Sequence, residues 1–223
     1  MNHAVLHDEI LAGYASGALP PGMALLAAAQ LTFSPAARAR VAAYESVCGA
    51  LLEDAAPLTV APPSLDAALA MLDGAAQLPA AAAPDDILPP PGRRAAADSV
   101  MPACLREALG VDETTAPWSF RLPGLSEAVF DGFEGEEVSM LRARPGAPIF
   151  SHTHEGVEAT LVLSGALEER GQVYRRGDVA LATPEVDHRP RILDEGQCIC
   201  FVVNTGKLRF TGPFSRALNL LAE

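Results

Sequence analysis

The stretch FSHTHEGVEATLVLSG, Phe150 to Gly165, places His152, His154 and Glu158 within seven residues. Imidazole nitrogens and carboxylate oxygens are good ligands for divalent transition metals. In an extended strand, side chains alternate between faces, so His152 and His154 point to the same side. Gly156 permits a turn or bulge, after which Glu158 restarts the alternation with Thr160 and Val162 and can swing toward the two imidazoles. Downstream, TPEVDHRP supplies His188 just after a proline turn. An isolated pair of alternating histidines would as readily be surface decoration. Three histidines and a glutamate together make a plausible first shell: His152, His154, Glu158 and His188.

Four cysteines, Cys48, Cys104, Cys198 and Cys200, show no disulfide-framework spacing. Cys198 and Cys200 alternate in an apolar run and should share a face. One reading makes them small buried residues of a β wall; the other makes them oxidant-reactive thiols near the metal. A disulfide between them is disfavoured, because i and i+2 side chains of a strand are poorly placed for it. Cys48 and Cys104 read as structural. Arg189 and Arg191 flank Pro190 beside His188 and either set the site's electrostatics or stand as rim charges. Trp118 and Phe120 read as core residues.

The elements that must hold these groups fall into two kinds. The chain has 223 residues, of which 49% are hydrophobic, enough to bury a core. From His7 to Ser16 the apolar residues recur at helical spacing. Pro21 opens a second helix to about Phe33. Ser34 followed by Pro35 is an N-cap with a first-turn proline, opening a third helix to about Glu53. SLDAALAMLD, from Ser64, forms a fourth. Residues 1–74 are therefore expected to form a small helical bundle. Residues 75–98 turn to alanine and proline and read as a linker. Within 99–223, a short helix at Leu105 to Leu109 precedes a β region beginning near Trp118. There VSMLRA, ATLVLSG, DVALAT and CICFVV are separated by turn signals roughly every ten residues, which predicts a sandwich or small barrel.

The net charge of −12 argues against direct binding to nucleic acid or an anionic membrane. MNHAVLHDEILAGY lacks the cationic start and apolar core of a signal peptide, and no apolar run approaches the ~20 residues that span a bilayer. The expectation is a reduced, cytoplasmic protein.

The spacing Gly146-x5-His152-x-His154-x3-Glu158-x6-Gly165 resembles the first motif of the cupin superfamily. The second motif is similar to Gly177-x6-Pro184-x3-His188, with Glu185-Val186-Asp187 in place of the usual glycine between proline and histidine. The resemblance implies an antiparallel barrel of jelly-roll type, and carries the family's metal ligands to His152, His154, Glu158 and His188. The fold class expected is thus α+β and multidomain, a helical bundle followed by a cupin barrel. The order of parts resembles the ChrR-type anti-sigma factors, in the opening HDEILAGYASGALP, the stretch SPAARARVAAYESVCGALLE, and the tail CICFVVNTGKLRFTGPFSRALNLL. That resemblance implies a helical part that holds an extracytoplasmic-function sigma factor inactive, and a cupin part needed for release under singlet oxygen or organic peroxide. It implies zinc in the cupin site; the ligand set alone equally accepts iron, manganese or nickel. It also matches Cys198 and Cys200 to a CxC of the family. A homodimer is compatible with the barrel type.

The family's helical part binds zinc through an N-terminal histidine and a His-x3-Cys-x2-Cys cluster. This chain keeps His7, but the cluster reads Gln30-x3-Ser34-x2-Ala37. Cys48 lies several turns beyond Ser34, too far along the helix to rebuild a site with His3 and His7. No zinc is expected in this half, where apolar packing and the Ser34 cap must supply the missing folding energy. Its charged residues are mostly acidic (Asp8, Glu9, Glu45, Glu53, Asp54, Asp66, Asp73), which suits a basic partner. A cupin-type metalloenzyme (oxygenase, lyase or isomerase), or a diverged paralogue that no longer binds sigma, are the alternative readings.

Overall fold

The second and third helices start at Pro21 and Pro35, as the sequence predicts, whereas the fourth starts at Pro62 rather than after Ser64 and the fifth at Ala103 rather than Leu105. A computed structural model describes residues 4–58, 62–74 and 99–211. Its helices are α1 (Asp8–Ala15), α2 (Pro21–Phe33), α3 (Pro35–Asp54), α4 (Pro62–Gly74) and α5 (Ala103–Leu109). Asp8 and Glu9 occupy the first turn of α1, where negative charge is favoured by the helix dipole. Pro21 sits at the first position of α2, a site that needs no N–H donor. Ser34 ends α2 by donating its N–H to Gln30 O, and its Oγ accepts the Ala37 N–H at 3.2 Å to cap α3. The expected linker, residues 75–98, lies outside the described residues, as do His3 and the end of the tail beyond Thr211.

The strands are β1 (Ser119–Leu122), β2 (Leu125–Phe130), β3 (Glu137–Ala143), β4 (His152–His154), β5 (Glu158–Ser164), β6 (Ala166–Glu169), β7 (Gln172–Arg175), β8 (Val179–Ala182), β9 (Arg191–Ile192), β10 (Cys198–Asn204) and β11 (Leu208–Phe210). They form three antiparallel sheets, ordered β1-β2-β3-β10-β5-β8, β11-β4 and β7-β6-β9. Among the described residues, hydrogen bonding therefore does not close one continuous barrel. The apolar residues of the six-stranded and three-stranded sheets nonetheless meet in one interior.

Strand alternation divides β10 between two cores. Cys198, Cys200 and Val202 face inward with Ala143, Val162, Leu167 and Ile192. Ile199, Phe201 and Val203 face outward with Ala159, Leu161 and Leu163, and share a core with Leu6, Leu11, Met23, Leu26 and Ala27 of the helical region. Each fully buried Leu or Phe in this layer stabilises the fold by about 1.5–3 kcal/mol. Phe201→Ala, at the centre of the sheet, would remove about 3–5 kcal/mol. α2 is apolar around most of its circumference, burying Gly22, Met23, Leu26, Ala27, Ala29 and Gln30, as expected for a helix covered on more than one side.

The N-terminal segment is tied to the same layer. The Ala4 N–H donates to Asp178 Oδ1 at 2.8 Å, and the Val179 N–H donates to Ala4 O at 2.9 Å. The described residues of Met1–Gly49 and Val100–Glu223 form one compact unit, and those of Ala50–Ser99 a second. In the second unit Leu51, Leu52, Leu58, Leu65, Leu69 and Met71 are all exposed, from 50% to 93%. Phe120, expected in the core, is instead 74% exposed. It lies on β1, the edge strand, where among the described residues no further strand pairs with it; Trp118 is half-buried, under the Arg142 guanidinium.

Candidate metal centre

Backbone pairing brings the four chemical groups together. The His152 N–H donates to His188 O at 3.1 Å, and the His188 N–H donates to His152 O at 3.0 Å. This reciprocal bridge fixes a residue arriving from the Pro184 loop directly beside the HxH strand. β11 holds the other edge of β4, pairing Leu208 with His154 and Phe210 with His152. Between β4 and β5 the chain turns at Gly156, where a Cβ would lie 2.5 Å from Thr205 Oγ1. Only glycine allows that approach, and the Val157 N–H then donates to Thr205 Oγ1 at 2.9 Å. Glu158 starts β5 inside this frame.

The ligand atoms of His152, His154, Glu158 and His188 all lie within 4.8 Å of one another, and all four residues are buried. His154 Nε2 is 3.0 Å from Glu158 Oε2 and 3.2 Å from His188 Nε2. His152 Nε2 is 3.9 Å from the same carboxylate oxygen, an electrostatic contact rather than a hydrogen bond. Burial pushes the Glu158 carboxyl upward, but His152 and His154 outweigh it and hold the group below the usual carboxylate range. For His152 burial disfavours the cation, yet Glu158 and the Phe150 carbonyl together raise its pKa.

The atoms behind the ligands bear on whether a metal fits. His152 Nδ1 is 2.7 Å from Phe150 O, which accepts only, so Nδ1 carries the proton. His188 Nδ1 is 2.6 Å from Glu169 Oε1 and likewise donates. In the tautomer that these contacts select for each ring, Nε2 is the lone pair aimed at the shared centre, as a metal-binding histidine requires. Thr160 Oγ1 donates to Glu158 Oε1 at 3.0 Å, leaving Oε2 for the centre. The set suits a divalent cation: three nitrogens and one oxygen, with outer partners for three of the four. When bound, such an ion supplies Lewis acidity and open coordination positions.

All four sequence-predicted ligands are brought together. Glu169, which buries its carboxylate against His188, was missed, because 19 residues separate them and only the pairing of β6 with β9 closes the gap. Cys198 and Cys200 lie on the same interior face with Sγ atoms 3.6 Å apart. They sit among apolar residues, with Cys200 opposite Val162, four residues along β5 from Glu158, or roughly 13 Å of strand. The hydrogen bond to Cys198 and burial push the Cys200 thiol well up, while the same bond lowers that of Cys198. Arg189 donates to Ile149 O, and Arg191 pairs with Glu168 at 2.5 Å, both at the exposed rim.

In the helical region, the positions aligned with the family's zinc cluster are fully buried: Gln30, Ser34 and Ala37. Gln30 Oε1 accepts the Leu6 N–H at 3.0 Å, and its Nε2 donates to Ala4 O at 2.8 Å and Gly177 O at 3.3 Å. A neutral amide thus ties the N-terminal segment to α2 and to the turn before β8. His7 precedes α1 with its ring exposed.

A family model described as the ChrR Cupin-like domain matches residues 106–209. The anti-sigma-E factor ChrR of Cereibacter sphaeroides is 33% identical over 205 residues, 91% of this chain and 90% of its own. The chain belongs to the ChrR anti-sigma factor family. The crystal structure of Rhodobacter sphaeroides SigE in complex with the anti-sigma ChrR superposes with a TM-score of 0.75 at 26% identity, covering 92% of this chain and 99% of that one. The buried cluster of this ChrR relative fits a cupin metal site. Among the described residues no helix is long and apolar enough to cross a membrane.

Proposed function

We propose that this chain is a cytoplasmic anti-sigma factor that binds and inhibits an extracytoplasmic-function sigma factor through residues 1–74. Residues 99–223 hold one divalent metal, zinc by family, on His152, His154, Glu158 and His188, and respond to an oxidant by promoting release. The observation that carries this reading is the likeness to ChrR in its complex with SigE, which extends over 92% of the chain and so takes in both halves. A relative that is an anti-sigma factor supports regulation rather than turnover.

The surface supports the same reading. Leu51 and Leu52 at the end of α3, and Leu65, Leu69 and Met71 on α4, are exposed apolar side chains in one short stretch. Such a concentration marks a protein-binding surface more often than a solvated face. Asp54 and Asp66 lie among them and would complement a basic partner. Cys198 and Cys200 are the thiols on hand for an oxidant that reaches the interior; their oxidation would alter the packing of β10.

The test is capture of partners from native cytosol by the tagged full-length chain, with mass spectrometry of what is retained. A sigma factor held by the wild type and lost from Leu51→Asp with Leu52→Asp supports the reading. Retention of no sigma factor by the folded, metal-loaded protein refutes it.

A further inference from the structure

One row of polar side chains crosses three neighbouring strands at the end of the sheet nearest the metal cluster. Glu158 on β5 is paired directly with Asn204 on β10, and Asn204 with Glu137 on β3. Directly paired residues of antiparallel strands project to one face with Cβ atoms about 4.5–5.5 Å apart. The metal-cluster carboxylate, an amide and a second carboxylate therefore stand side by side on one face of the sheet, Glu158 and Asn204 buried and Glu137 at its exposed end. Asn204 is 7% exposed, and its Oδ1 has no hydrogen-bond partner.

The residue before Glu137 leaves this face. Glu136 shares its parity with Val138, which packs outward against the helical core. There the Glu136 carboxylate takes two hydrogen bonds, from the Gly22 N–H at 2.6 Å and the Met23 N–H at 2.9 Å. These amides lie in the first turn of α2, where the helix itself offers them no acceptor. A carboxylate at this end also meets the positive pole of the helix dipole. The seat is close-fitting: a Cβ on Gly22 would lie 2.7 Å from Val138 Cγ2 and 2.9 Å from Glu136 Oε2.

We propose that Glu136 is a positioning residue through which the cupin cluster governs the seating of α2. Glu158 is a metal ligand at one end of the row; Glu136, covalently next to the other end, grips α2. A change of Glu158 geometry on metal loss moves Asn204 and Glu137 as its paired neighbours, and Glu136 with them, loosening the carboxylate from the helix. The effector is the divalent metal, and the element with two states is the Glu136–α2 contact. The inference rests on metal binding at the cluster and is independent of which partner the helices bind.

The experiment is hydrogen exchange at the Gly22 and Met23 amides of the full-length chain, zinc-loaded and after EDTA, with metal content measured in each sample. In the wild type, zinc removal speeds exchange at these two amides by roughly tenfold or more, the scale of losing a charged hydrogen bond, while α5 amides keep their rates. In Glu136→Gln the two amides exchange faster than in the zinc-loaded wild type, and the response to zinc shrinks. Asn204→Leu retains zinc and loses the response. Unchanged exchange in a wild type proven free of zinc overturns the proposal, as does an Asn204→Leu or Glu136→Gln variant responding like the wild type. A chain that takes up no zinc overturns both this proposal and the ligand assignment, and the metal analysis tells that failure from the first two.

Discussion

Replacing Glu169 by glutamine tests whether the carboxylate behind His188 tunes the metal centre. Both side chains are buried, the histidine at 0% and the glutamate at 7% exposure, with Nδ1 and Oε1 2.6 Å apart. Glutamine keeps the shape and an accepting oxygen, so the ring orientation survives. What it removes is the negative charge that makes Nε2 a stronger donor to a cation. Loss of such an outer partner weakens metal binding about 10–100-fold, equivalent to about 1.4–2.7 kcal/mol. Competition against a chromophoric chelator, using refolding-free, metal-stripped protein, measures the change directly. Glu169→Ala goes further, because it leaves a buried Nδ1–H without an acceptor, at a cost of about 1–3 kcal/mol to the fold. The melting temperature of the metal-free protein should therefore fall for alanine and stay near the wild type for glutamine. A folded Glu169→Gln protein that binds zinc as tightly as the wild type would refute the role assigned to this carboxylate.

Three further outcomes follow from the geometry. Gly22→Ala should destabilise by about 1–3 kcal/mol in denaturant melts, since its Cβ meets Val138 and Glu136 at under 3 Å. Gln30→Ala strands the Leu6 N–H and opens a buried gap, and should cost about 2–4 kcal/mol in the same assay without altering zinc content. Asp112, whose carboxyl is drawn from 3.8 to about 2 by hydrogen bonds from Thr114 and Thr115, stabilises its turn above the ordinary carboxylate pKa and loses that contribution as pH falls through about 2. Carbon-detected NMR titration should place its midpoint there, and a midpoint near 3.8 would contradict the hydrogen bonding.

Much of the molecule was legible because its signals are local. Pro21, Ser34 and Pro35 announce helix starts within one turn, and the observed α2 and α3 begin there. The HxH alternation and the spacing to Glu158 and His188 likewise sit in continuous sequence, and the four residues converge. What sequence did not disclose depends on pairing between distant strands. Glu169 reaches His188 only through the β6–β9 ladder, and Glu136 reaches Gly22 across 114 residues. Phe120 reads as apolar core but lies on an edge strand, a fact of sheet order that no local pattern encodes. One signal was present and unused. PGMALLAAAQLTF carries almost no polar stripe, which marks a helix covered on more than one side, and α2 does share its core with β5 and β10.

The most direct measurement is promoter-specific transcription by polymerase holding the captured sigma factor, titrated with the zinc-loaded chain. The account predicts loss of transcript as the chain approaches one equivalent of sigma, and recovery when the complex is treated with singlet oxygen or an organic hydroperoxide. Transcription that persists at full rate with the folded, zinc-loaded protein in excess would contradict it.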